Sequence, residues 1–209
     1  MPRNSKTTGV YSSGELVLIR WFHVWKDAFF SPVLRFLSAN GATPNALSIF
    51  SAAVASTGFL FAVFLWQPLW FIGGIWLHLL LDGLDGSLAR LLRSDTLFGS
   101  YMDVVCDQVG IISACAYMLV FRIVDPVLVL FFGIFYILVI ASSFFLGSIH
   151  RPLRYVLRPR IIVFASITAE YFLSISITTP ILLTLTLLLA LSTAEGLIRI
   201  GTYIHNRSL

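Results

Sequence analysis

The sequence predicts an all-α integral membrane protein in which an N-terminal interfacial amphipathic helix precedes six transmembrane helices. Three observations carry that prediction. Of the 209 residues, 58% are hydrophobic and 11% charged, whereas soluble domains carry roughly 25% charged residues. Mean hydropathy is +0.91. Apolar stretches of about 20 residues, the length that crosses a bilayer, recur along most of the chain. The Lys and Arg residues also alternate in a way that fits a single topology.

Taken in order, residues 1–40 read as a cytoplasmic N-terminal segment, and residues 41–209 as one six-helix membrane domain. The start, MPRNSKTTGVYSSG, lacks an apolar core followed by a small-residue cleavage site, so a removable signal peptide is not expected. From Glu15 to Ser38, Arg20, Lys26 and Arg35 interrupt an apolar surface of Trp21, Phe22, Trp25, Phe29 and Phe30, the composition of a helix lying in the membrane interface. Spans are expected near 45–66, 68–91, 98–121, 126–149, 160–177 and 179–203. Pro68, Pro126 and Pro180 mark starts, because proline is tolerated in a helix's first turn and breaks the helix before it.

With these spans, thirteen of the 14 Lys and Arg residues fall on one side and Arg122 alone on the other. The positive-inside rule then places both termini and the 2–3 and 4–5 connections in the cytoplasm. The net charge of +4 follows from this asymmetry and is not a nucleic-acid surface. Cys106 and Cys115, nine residues apart on one helix and so about 13 Å apart, cannot pair with each other. Trp66, Trp70 and Tyr203 sit near span ends as interface residues. Glu195 precedes Arg199 by four positions and should pair with it, while Glu170 is an isolated acid expected at the external water boundary.

Asp82, Asp85, Asp95, Asp103 and Asp107 crowd into 26 positions that otherwise read as membrane helix. Each Asp at a helix centre costs about 2.5–3.5 kcal/mol on insertion scales, so such a set persists only where a cation or water offsets it. Asp82 and Asp85, three apart, share a helix face, and Gly99, Asp103 and Asp107 form an i, i+4, i+8 stripe. The connection between these helices is short, so they should be antiparallel neighbours with their carboxylates facing. Oxygen ligands without His or Cys suit Mg2+ or Mn2+, with one or two ions, and not zinc. Gly86 and Gly99 would let a phosphate or base approach the backbone, and Arg90 lies one turn beyond Gly86. His23, His78, His150 and His205 show no ligand spacing.

The pattern Asp82, Asp85–Gly86, Ala89–Arg90, Gly99, Asp103 and Asp107 resembles the signature of the CDP-alcohol phosphatidyltransferase family, and Thr43–Pro44–Asn45–Ala46 is similar to the family's nucleotide-side motif. The resemblance implies metal binding by Asp82, Asp85, Asp103 and Asp107, with Asp107 also the general base. It implies contacts to a CDP-diacylglycerol-type donor from Thr43, Pro44, Asn45, Ala46, Gly86, Arg90 and Thr96. It further implies transfer of a phosphatidyl group to a small polar alcohol with release of CMP, a cytoplasmic-facing site in a multi-pass cell membrane protein, and a homodimer.

Four arginines, Arg151, Arg154, Arg158 and Arg160, concentrate in the 4–5 connection. They fit a pocket for a phosphorylated acceptor, glycerol 3-phosphate or inositol phosphate, and equally a topology signal beside anionic lipid. A non-phosphorylated acceptor such as serine or choline stays open. So do two readings of other classes, a divalent-cation channel or transporter, and a catalytically silent interaction protein.

Overall fold

The computed structural model describes residues 26, 29–94, 96–149, 153 and 159–205. Every regular element among them is a helix: α1 (Phe29–Ala39), α2 (Pro44–Phe64), α3 (Pro68–Leu92), α4 (Leu97–Val120), α5 (Pro126–Ser148), α6 (Arg160–Leu173) and α7 (Thr178–His205). Pro68 and Pro126 stand in the first turns of α3 and α5, where the sequence places helix starts, and Pro180 lies in the first turn of α7, which begins at Thr178; Pro44 likewise opens α2.

Four helices, α2, α4, α5 and α7, are long and apolar enough to cross a membrane. The expected sixfold count is therefore met only in part. Over most of its length α3 is apolar, but Asp82, Asp85 and Arg90 fill its last three turns. The expected span 160–177 is cut to the 14 residues of α6, because Ser174 takes a left-handed conformation (φ 53°) and ends the helix. Fourteen residues rise only about 21 Å, short of the roughly 30 Å hydrocarbon core. Glu170 then turns back, accepting a hydrogen bond from the Thr178 backbone N–H at 2.8 Å, so it ties the end of α6 to the start of α7.

The interfacial helix expected over 15–38 coincides with α1 only in its second half, and the residues before Lys26 lie outside the described ones. One face of α1 buries Leu34 against Leu47 of α2 and Leu84 and Leu88 of α3. Its other face leaves Phe29, Val33 and Phe36 exposed.

Packing is densest where α2 lies along α3, and α2 also packs along α4, whereas α3 and α4 touch only over a short stretch. Two glycines bring α2 and α3 together. A Cβ on Gly58 would lie 2.9 Å from the Trp70 carbonyl oxygen and 3.0 Å from Gly74 Cα, so the backbones meet with no room for a side chain. The main apolar core starts one turn from the acids and fills the rest of the bundle, joining Phe71 and Ile75 to Tyr117, Phe132, Phe164, Leu182 and Leu189. There Phe71 stacks on Tyr117 with ring centroids 4.2 Å apart. Cys106 and Cys115 are both free thiols, and Arg199 pairs with Glu195 at 2.6 Å as its spacing requires.

Gly58→Ala should lower stability by about 1–3 kcal/mol, the usual effect of overpacking. Gly73→Ala, where a Cβ meets nothing within 4 Å, should be neutral. Thermal melts of the detergent-solubilised variants check this, and equal melting of the two would refute the close α2–α3 approach.

Candidate active site

The last turns of α3 and the first turns of α4 carry the acids. α3 stops because Arg93 adopts a left-handed conformation (φ 50°), with Ser94 N–H donating to the Ala89 carbonyl and Arg93 N–H to that of Arg90. This is the paired-bond ending normally built on glycine. α4 restarts at once with Thr96 as its cap, whose hydroxyl accepts from Gly99 N–H at 2.9 Å. The reversal sets Asp82 and Asp85 on one helix opposite Asp103 on the next.

Asp82, Asp85 and Asp103 each offer a carboxylate oxygen, and these atoms lie within 4.8 Å of one another. Two oxygens bound to one hard cation at about 2.1–2.4 Å can be no more than about 4.8 Å apart, so the spacing fits a shared ion. A second observation agrees: Asp82 Oδ1 is buried with no hydrogen-bond partner among the described residues. The donor set is oxygen only, which suits Mg2+ or Mn2+.

Asp107 stands apart from that trio. Its Oδ1 is ion-paired with Arg160 Nη1, while Arg160 Nη2 donates to Asp82 Oδ2 at 2.7 Å. One guanidinium from the start of α6 thus bridges the acids of α3 and α4. This basic partner comes from a helix 78 positions from Asp82 in the chain. Arg160 is also the only one of the four acceptor arginines among the described residues. Arg151, Arg154 and Arg158 lie outside them, as does Asp95.

A cleft of about 130 Å³ opens beside the trio, lined by Pro44, Asn45, Ser48, Asp85, Gly86, Ala89, Ser94, Thr96, Gly99, Ser100 and Asp103. It gathers Pro44, Asn45, Gly86 and Thr96 from the residues implied to hold the donor. Thr43 and Ala46 are exposed at the rim, where the Thr43 hydroxyl caps α2 by accepting from Ala46 N–H at 3.2 Å. The N-termini of α2 and α4 both border the cleft, and their unpaired N–H groups and dipoles favour an anion there. Gly99 is tightly held: a Cβ on it would lie 3.1 Å from Thr96 Oγ1 and 3.2 Å from Asn45 Oδ1. Arg90 does not line this cleft. It lies in a separate groove of about 280 Å³ with Ser31 and Arg35 of α1, and its Nη2 donates to Ser87 Oγ at 3.0 Å.

Two residues at the site were not legible as functional. Ser48, on α2, donates to Asp85 Oδ2 at 2.5 Å and fixes one of its oxygens; its position four residues after Pro44, on the cleft face of α2, was the available signal. His78, fully buried one turn before Asp82, sits against Gly110 of α4.

Comparison with known proteins follows the same pattern. Residues 41–203 match the sequence profile described as CDP-alcohol phosphatidyltransferase. A phosphatidylinositol phosphate synthase of Mycobacteroides abscessus is 32% identical over 80 residues, covering 38% of this chain and 36% of that relative's length. The fold is similar to crystal structures of Mycobacterium tuberculosis phosphatidylinositol phosphate synthase. The complex with manganese and citrate superposes with a TM-score of 0.70 at 18% identity, over 82% of this chain and 88% of that one. The form with CDP-DAG bound gives 0.62 at 20% identity, over 80% and 89%. With the family profile matched over most of its length, this chain belongs to the CDP-alcohol phosphatidyltransferase family.

Proposed function

We propose that this protein transfers a phosphatidyl group from CDP-diacylglycerol, or a similar CDP-lipid, to the hydroxyl of a phosphorylated polyol such as inositol phosphate, releasing CMP. The observation that carries the reading is the carboxylate trio of Asp82, Asp85 and Asp103 beside a cleft bordered by two helix N-termini. The acceptor is drawn from the relatives, which are named phosphatidylinositol phosphate synthase. Family membership favours this reading over an ion pathway or a silent protein.

Asp82, Asp85 and Asp103 would hold a divalent ion, Mg2+ or Mn2+. When bound, the ion neutralises pyrophosphate charge and stabilises CMP as leaving group. The cleft residues Asn45, Gly86, Thr96 and Gly99 accept the cytidine diphosphate, whose negative charge the α2 and α4 N-termini favour. Asp107 takes the proton from the acceptor hydroxyl as its oxygen attacks the lipid-bearing phosphorus, and the bond to CMP breaks. For that, Asp107 must part from Arg160. The acceptor's phosphate offers Arg160 another anion, so acceptor binding would release the base at the moment it is needed.

The same reading gives the membrane arrangement its finer form. The site end of the bundle receives the connections that carry eleven of the 14 Lys and Arg residues, five before residue 41, Arg90 and Arg93, and four between residues 151 and 160, which supports a cytoplasmic site under the positive-inside rule. α3 and α6 complete six crossings with their polar turns packed against protein. The non-helical residues 174–177, exposed from 174 to 176, bring α6 to the far interface, where water satisfies their backbone.

With CDP-diacylglycerol, Mg2+ and inositol phosphate, Asp107→Asn should slow CMP release by about 10²–10⁴-fold, the usual contribution of a positioned base. Wild-type protein that releases no CMP with any acceptor, phosphorylated or not, would refute the transferase reading. Arg160→Gln should raise the acceptor's Michaelis constant by about 10–100-fold, the worth of a charge-assisted hydrogen bond of about 1.5–3 kcal/mol, with that of the CDP-lipid little changed. An unchanged acceptor constant returns Arg160 to a purely structural pairing.

A further inference from the structure

The described residues include one buried imidazole that the reaction does not use. His78 is fully buried on α3, and three helices of the site surround it. Its Nδ1 lies 3.2 Å from Ser51 Oγ on α2. Its Nε2 faces α4 at Gly110, where a Cβ would come within 2.6 Å of it, so a side chain there would displace the ring. Phe164 of α6 packs edge-on at 6.3 Å between ring centroids.

The hydrogen bonds assign the direction of this contact. Ser51 Oγ donates to the Ser48 carbonyl at 2.8 Å, so its single proton is spent within α2. With the imidazole as its Nδ1–H tautomer, His78 is the donor and Ser51 the acceptor. One turn nearer the cleft, Ser48 Oγ donates to Asp85 Oδ2. Two polar ties thus cross between α2 and α3, running in opposite directions: His78 of α3 to Ser51 of α2, and Ser48 of α2 to Asp85 of α3. A slide of α2 along α3 would break both. The apolar close approach of Gly58 and Gly74, one turn from His78 on α3 and two turns from Ser51 on α2, gives no such directional grip.

We propose that His78 is a positioning residue of the metal site: its Nδ1–H bond to Ser51 holds α2 in the register that lets Ser48 orient Asp85 toward the ion. The idea rests on the metal reading given above and assigns His78 a part in it. His78 touches no reacting group and acts through Ser48 and Asp85. Partners of metal ligands that are lost in this way typically lower metal affinity by about 10–100-fold.

The test is Mn2+ affinity of the full chain in detergent, read by the loss of the free-ion electron paramagnetic resonance signal. His78→Leu removes the donor and keeps bulk, whereas His78→Asn carries an N–H where Nδ1 stood. Ser51→Ala removes the acceptor with almost no change of volume and covers the case in which His78→Leu fails to fold. The expected result is affinity lowered about tenfold in His78→Leu and Ser51→Ala and near wild type in His78→Asn. The kcat for CMP release should fall with it, and the Michaelis constant for inositol phosphate should hold. Folded variants that all bind Mn2+ like wild type overturn the proposal and leave the metal reading standing, as does equal weakening of His78→Leu and His78→Asn, which makes the ring mere filling. Wild-type protein that binds no Mn2+ at all fails the metal reading, and this proposal with it.

Discussion

Four carboxylates gathered at one end of an apolar bundle repel one another and resist leaving water, and the rest of the architecture answers that constraint. Each Asp carried into a membrane helix costs about 2.5–3.5 kcal/mol unless something offsets it. Here the offset is divided. Arg160 spans Asp82 and Asp107, Ser48 donates to Asp85, and the trio of Asp82, Asp85 and Asp103 keeps an oxygen spacing suited to a divalent ion, with Asp82 Oδ1 lacking a donor among the described residues. A divalent ion shared by the trio would offset the remaining charge.

This division also explains how the bundle is packed. α3 and α4 meet only over a short stretch and α2 fills the space alongside both, so a cleft forms beside the acids instead of a closed core. The apolar core begins one turn from the acids, at Ile111 and Phe164, and extends to Phe71, Tyr117 and Phe132. Capping follows the same economy, since Thr43 and Thr96 finish α2 and α4 and in doing so aim two helix N-termini at the cleft.

Much of this was legible in the sequence because it is local. The spacing of Asp82, Asp85, Asp103 and Asp107 follows helical periodicity, and Pro68, Pro126 and Pro180 mark helix starts to within two residues by a steric rule that needs no partner. What escaped is non-local or lacks its usual marker. Ser174 ends α6 in a left-handed conformation without glycine or a following proline, so nothing announces that stop, and α6 is cut short at Leu173. The Arg160 bridge joins residues 78 apart in the chain, and the His78–Ser51 contact joins residues 27 apart across two helices. Neither spacing carries a periodic signal. Asn45 and Gly99 were each read on their own element, but their meeting across the mouth of the cleft depends on how α2 lies against α4.

The central claim is that Asp82, Asp85 and Asp103 share a divalent ion. Crystals grown with Mn2+ and measured at the manganese absorption edge test it most directly. The account predicts an anomalous peak about 2.1–2.4 Å from an oxygen of each of the three carboxylates. A peak elsewhere in the molecule, or none in a crystal that retains the Arg160 bridge to Asp82 and Asp107, would contradict it.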